Sequence, residues 1–483
     1  MKPIALFTLC LMFWVMNPSL AESQNRFDGL RFSQTMPSYD AASLSLGGAT
    51  VTGFAGYGSY IQNPANIALI EQSQFSFGLS TRDVRESSTY LGNTTSFNDN
   101  QTAIGNVGYL YRFPTSRGSL VVGGGYTELA DFNRASSINA FNESHSIVDF
   151  FLRDPGDQYF TTAFNAFAIE FDEEFEEYFN VLRADGTFRG MNQYAELTER
   201  GQLGEYSFVL GTEFQPNFYV GASIGVIVGD YRYRRDFVEE DLLERYVDAP
   251  FDISMLLTED RINASIRGAN VRIGALYEPV EGLHLGGSFT SRTVYDIDEI
   301  YSTFIRTDYY SLDQDGFNRY EDTFNGEFSY RLTRPSVTTF GVGVGLIPQL
   351  DLELSAERIN YSRIEFNGLG LTQDRDENRA IRDDFNDVVN LRAGASFSVT
   401  PQFTPRVGYA WHPSPRKAFD GDIGFLSAGA TLLLSEGINL DFGFQYAMYN
   451  DVLDIYQFSD AGIASSSQEV NRLQAMFGIT FNF

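Results

Sequence analysis

Cysteine and histidine are nearly absent from this chain of 483 residues: there is one cysteine, Cys10, and there are three histidines. Cys10 lies in an uncharged apolar run over residues 4–16, after Lys2 and before Pro18 and the small-x-small sequence Ser19-Leu20-Ala21. That order is the pattern of a secretory leader, and we assign residues 1–21 to one. The apolar run falls short of the ~20 residues a spanning helix needs. Without Cys10 the expected mature chain holds no thiol, which excludes disulfides and thiolate metal sites. No later apolar run is long enough for a membrane helix either. Positive charge is scarce too, with 34 Lys and Arg against 63 Asp and Glu. Losing Lys2 leaves 33 − 63 = −30, which excludes nucleic acid as a partner. His145, His284 and His412 stand in no recognisable Ser or Asp constellation, so we expect no enzyme. "LDQDG" at 312–316 and "QDRDEN" at 373–378 complete no calcium-ligand series, so we expect no metal and no cofactor.

What the chain does have is alternation. Phe and Tyr are abundant, at 43 and 27 residues, and they recur at every second position rather than at helical spacing. In "INLDFGFQYAMY", Leu440, Phe442, Phe444 and Tyr446 fall opposite Asp441, Gly443, Gln445 and Ala447. Fourteen such segments begin near residues 73, 102, 118, 202, 217, 261, 282, 321, 350, 387, 402, 422, 438 and 469. Their connections alternate between short and long. The short ones are "PTSR", "QPN", "PVEG", "IPQL", "TPQ" and "SEG". The long ones cover about 85–101, 131–201, 235–260, 307–320, 367–386, 413–421 and 450–468. Loops sorted by length onto two ends are the mark of an outer-membrane barrel. Closure of the sheet removes its edges, which lipid would not tolerate. The fold class is therefore all-β: a 14-stranded antiparallel transmembrane barrel over residues 73–483, in the outer membrane of a Gram-negative cell. The last strand, "LQAMFGITFNF", puts Leu473, Ala475, Phe477, Ile479, Phe481 and Phe483 on one face, and it pairs with the first strand to close the barrel.

Residues 22–72 do not alternate and are rich in Gly, Ala, Ser and turn formers. A barrel of this size has a lumen wider than its own side chains fill, so we place this segment inside as a plug. Its sequences "SLGGA" (Gly47, Gly48, Ala49) and "QNPANIAL" (Asn63, Pro64, Ala65) resemble the plug motifs of the FadL/TodX family of outer-membrane transporters. Residues 333–362 and 391–415 are similar to that family's barrel hairpins. The resemblance implies a monomer that captures hydrophobic small molecules, long-chain fatty acids or hydrocarbons, outside the cell. It implies their release sideways, through the barrel wall into the outer-membrane lipid. It leaves an alternative, since some relatives serve in secretion or envelope assemblies rather than uptake. The terminal strand ending in Phe483 resembles the signal read by the barrel-assembly machinery.

Several residues then become candidates. Gly123, Gly124 and Gly125 interrupt the third strand, where the resemblance implies an inward kink and a lateral opening; making room for the plug is the other reading. In the large external loop, Phe164, Phe167, Phe171, Phe175, Tyr178 and Leu182 recur at three and four residues, the spacing of one helical face. That face either packs on the rim or collects an apolar ligand. Arg267 and Arg272 flank a change of alternation at Gly268 and could hold a carboxylate in the lumen, or pair with acids of the plug or wall. Loop 131–201 carries 14 acids against 5 bases, so the outer rim is acidic.

Overall fold

The computed structural model describes residues 25–459 and 462–483; the leader assigned to 1–21 lies outside them. Fourteen antiparallel strands can be followed around one closed sheet. They are β1 (Gln74–Tyr90), β2 (Asn93–Phe113), β3 (Leu120–Asp131, continued by Arg134–Asn142), β4 (Met191–Gln215) and β5 (Phe218–Glu240). β6 is Ile253–Val280, β7 is Leu283–Thr290 with Thr293–Tyr309, and β8 is Arg319–Arg334 with Val337–Ile347. β9 (Leu350–Asn360) is followed by β10 (Asp387–Phe397), β11 (Phe403–His412) and β12 (Ile423–Ser435). β13 (Ile438–Gln457) and β14 (Ile463–Asn482) complete the ring. β14 pairs with β1 from Gln74↔Asn482 to Thr89↔Ser467, which closes the barrel. The terminal Phe483 donates its N–H to the Ser73 carbonyl at 3.0 Å, so the ladder runs to the last residue.

Every expected strand is present, and the six short turns fall where the sequence puts them. The outer ends differ. Residues 85–101 are not a loop but the tops of β1 and β2, joined by a two-residue turn at Leu91 (φ 47°) and Gly92 (φ 84°). Hydroxyls hold these tops together: Ser87 to Ser96 at 3.1 Å and Thr89 to Thr94 at 2.8 Å. Above the membrane both faces are wet, so the strand continues without the alternation that marks it in lipid. β4, β5 and β6 run 25, 23 and 28 residues for the same reason, while β9 to β12 run 10 to 13. One side of the wall therefore stands well above the other.

An apolar belt rings the outer face at mid-height, including Phe208, Ile224, Ile273, Phe340, Leu354, Leu426 and Phe477, all exposed. It ends upward at Ile104 on β2 and Tyr206 on β4; Thr102, Asn100 and Arg200 follow on the same faces. This is the lipid-facing band of an outer-membrane barrel.

Candidate functional site: a seated N-terminal segment, a chamber and a broken ladder

The N-terminal segment lies against the lumen side of this wall. Asn63 is completely buried and donates its Nδ2 to two carbonyls, Val51 at 2.8 Å and Ala275 of β6 at 3.0 Å. Its Oδ1 accepts the N–H of Ala65 at 3.1 Å, and Pro64 opens the 3₁₀ turn Pro64–Leu69, where a missing N–H costs nothing. The wall meets it with glycine: a Cβ at Gly274 would overlap Asn63 Oδ1. Gly47 (φ 65°) and Gly48 (φ 79°) turn the chain in the left-handed region after the helix Ala41–Ser45, and a Cβ at Gly48 would overlap the Pro37 carbonyl. Ala49 is buried beneath them. A wall residue the sequence did not single out, Glu353 of β9, accepts the N–H of Thr52 at 3.1 Å and its hydroxyl at 2.7 Å, and also bonds the N–H of Val51.

Above this segment lies a cavity of about 730 Å³. Its wall is unexpectedly charged. Arg134 bonds Glu86 and Asp451 at 2.9 Å each, Arg235 holds Asp260 at 2.6 Å, and Arg31 of the N-terminal helix reaches Glu199 at 2.9 Å. The outward-facing belt gives no hint of this, because lumen residues of a membrane strand occupy the other parity.

The third strand is where the wall departs from a regular barrel. Gly123, Gly124 and Gly125 are themselves paired on both sides, to Leu110, Tyr109 and Gly108 of β2 and to Val209, Phe208 and Ser207 of β4. Gly125 and Gly108 leave room for the Tyr57 ring, so part of the run serves as a seat. The ladder to β2 ends two residues later, at Asn106↔Thr127. From Thr127 to Ala130 consecutive residues are buried instead of alternating, so the strand has moved inward. Its register against β4 shifts between Glu128 and Ala130. The Leu129 carbonyl now accepts the N–H of Met36 at 2.9 Å, and Phe132 packs edge-on to Phe32 at 5.4 Å. Behind the step, Arg82 of β1 is buried and bonds Glu128 at 2.6 Å, Asp131 at 2.7 Å and the Met36 sulfur at 3.1 Å. The chamber is lined by Met36, Ala130, Asp131 and Phe132, on the inner side of the step. A charge on lumen parity in "LSTRDV" was the available signal for Arg82.

The family model described as "Outer membrane protein transport protein (OMPP1/FadL/TodX)" matches residues 215–481, more than half the chain. The chain belongs to the OMPP1/FadL/TodX family. It is a β-barrel of the Gram-negative outer membrane. Its fold is shared by the toluene transporter TodX of P. putida at 12% identity and TM-score 0.57, over 93% of this chain and 99% of that one. A FadL homologue of Pseudomonas aeruginosa aligns at 15% identity and TM-score 0.58, with the same coverage. The toluene transporter TbuX of Ralstonia pickettii aligns at 13% and 0.52, again over 93% and 99%. No curated relative matches the chain in sequence.

In this OMPP1/FadL/TodX member the remaining candidates are placed as follows. The expected helical face in the large loop does not form. A helix, Gln158–Asn165, ends before Phe167 (φ 58°), and Ile169–Asp172 then pairs with Glu177–Asn180 as a hairpin. Asp172 caps the turn by accepting the N–H groups of Glu174 (2.8 Å) and Phe175 (3.1 Å), and five acids in six residues would repel one another along a helix. Phe164, Phe167, Phe171, Phe175 and Tyr178 are nevertheless all exposed. Tyr178 gathers Phe171 at 4.9 Å and Phe164 at 5.6 Å, while Phe175 stands alone at the tip. Leu182, by contrast, is buried. Arg272 faces the lumen and is consumed by Glu205, bidentately at 2.6 and 2.8 Å. Arg267 is exposed on the outer face, so it cannot hold a ligand in the lumen. Even-numbered residues face inward throughout this part of β6, and Gly268 marks no change of side.

Proposed function

We propose that this family member moves hydrophobic small molecules, of the long-chain fatty acid or hydrocarbon kind, from the cell surface into the outer membrane, releasing them sideways between β2 and β3. One observation carries the reading: a wall strand steps inward beside a chamber, and its ladder to the neighbouring strand stops at the upper edge of the lipid belt. Residues 25–72 act as the plug that closes the lumen below, so the sideways path is the one left. The exposed rings of Phe164, Phe167, Phe171, Phe175 and Tyr178 are the first apolar surface a ligand meets outside. Arg82, Glu128, Asp131 and Met36 form the inner seal that must shift for release. Filling the unpaired interval by Ala103→Trp should lower uptake of a dansyl-labelled fatty acid into vesicles at least tenfold, with binding to the outer loops retained. Uptake equal to the parent protein would sink the lateral route.

A further inference from the structure

The interval between β2 and β3 has two ends and a crossing. Below, it begins at the last ladder pair, Asn106↔Thr127. Above, the Thr95 hydroxyl bonds the Ser137 carbonyl, where β3 is paired with β4 from Arg134↔Glu199 to Asn142↔Met191. Among the described residues no ladder pair joins β2 to β3 between these ends.

Across it stands one ion pair. Arg200 belongs to β4 and Asp99 to β2, two strands that β3 separates lower down. Because β3 has stepped inward, Arg200 reaches past it and grips Asp99 with both ends of its guanidinium, Nη1 to Oδ2 at 2.7 Å and Nη2 to Oδ1 at 2.9 Å. The fork matches the carboxylate plane, the geometry that makes such pairs directional. The Asp99 side chain keeps 16% of its surface exposed and Arg200 keeps 40%. Asp99 stands seven residues above Asn106, about 20 Å along a strand.

The position of the crossing gives it a task. Ile104 and Tyr206 end the continuous outward apolar row of β2 and β4, and the next outward ring of β4, Tyr194, stands twelve residues higher, so the lower part of the interval opens at the edge of lipid and the upper part opens to water. We propose that the Asp99–Arg200 pair is the lintel of this opening: it fixes the distance between β2 and β4 and confines the exit to the lipid edge. An ion pair this exposed is individually weak, which suits a fastening that has to yield as a ligand passes. The assignment rests on the lateral reading above and adds residues that set where that exit lies.

The test uses the near absence of cysteine. In a Cys10→Ser background, Ala103→Cys places one thiol on β2 within the interval, and a charged, water-soluble methanethiosulfonate reports its exposure on intact outer membranes. Arg200→Gln, and separately Asp99→Asn, should raise the labelling rate at least fivefold. The exchanged pair Asp99→Arg with Arg200→Asp should bring it back to within twofold of the parent. Heat-modifiable mobility verifies the barrel in each variant, and two single changes guard against one failing to assemble. Unchanged labelling in both singles, or no recovery in the exchange, overturns the lintel. Failure of the lateral reading is seen elsewhere, as full uptake by Ala103→Trp; blocked uptake there with unmoved labelling removes the lintel alone.

Discussion

Asn63 makes three hydrogen bonds with one amide, and no other side chain of its size could make all of them. Replacing it with Ala removes three hydrogen bonds from a buried site, at a cost of about 2–4 kcal/mol. We expect Asn63→Ala to keep the barrel's heat-modifiable mobility while raising ion conductance in planar bilayers, since the loss falls on the seat of the N-terminal segment. The Asn-Pro-Ala sequence identified a structured turn, but its partner Ala275 lies 212 residues away and no local pattern names it. Glu353 was illegible for the same reason, as one of three acids in its strand. His145, in the large outer loop, is stacked on Phe458 at 3.8 Å, and burial holds its pKa below the usual 6.5, with Asp149 pulling it up. A base with a lowered folded pKa takes up protons more readily when unfolded. Its contribution is therefore present above about pH 6.5 and lost as the pH falls below that value. Amide protection in residues 143–150, taken relative to the intrinsic exchange rate at each pH, should fall between pH 7 and pH 5, on the order of a few-fold. A His145→Phe variant should lose that dependence.

Among the larger elements, the hairpin that replaced the expected helix shows where periodicity misleads. Its aromatic spacing of three and four fits a helical face, yet Asp172 closes a turn and two short strands put Phe171 beside Tyr178. Phe175 stands at the tip with 68% of its surface exposed and no aromatic contact within the hairpin. Phe175→Ser should accordingly leave thermal stability within about 0.5 kcal/mol, the range of ordinary surface changes. Association of an apolar fluorescent probe with the outer surface should fall measurably in the same variant. A drop in stability without a change in probe binding would assign the ring to packing instead. The third strand gives the opposite lesson. Three glycines interrupt the strand at residues 123–125, but a flexible run can still pair. The step begins where Thr127, Glu128 and Leu129 find buried partners on the N-terminal segment and on β1.

On the scale of the whole molecule, closure depends on the final strand. Phe483 stacks on Tyr109 at 6.1 Å and donates the last backbone hydrogen bond to Ser73. Its deletion should abolish the membrane-inserted, heat-modifiable form, because an open sheet leaves two unpaired edges in lipid. Normal yields of inserted protein would contradict this.

Fourteen strands, their six short turns and their closure were set by local order in the chain, because lipid on one side imposes a two-residue period that sequence displays directly. The outer extensions of β1 to β6 escaped that signal, since water on both faces imposes none. The charged chamber, the Arg82 seal and the Asp99–Arg200 crossing were decided by the tertiary structure alone. Each joins residues dozens to hundreds of positions apart, and the seal and the crossing exist because one strand leaves the wall, a displacement that depends on what the N-terminal segment offers it from within.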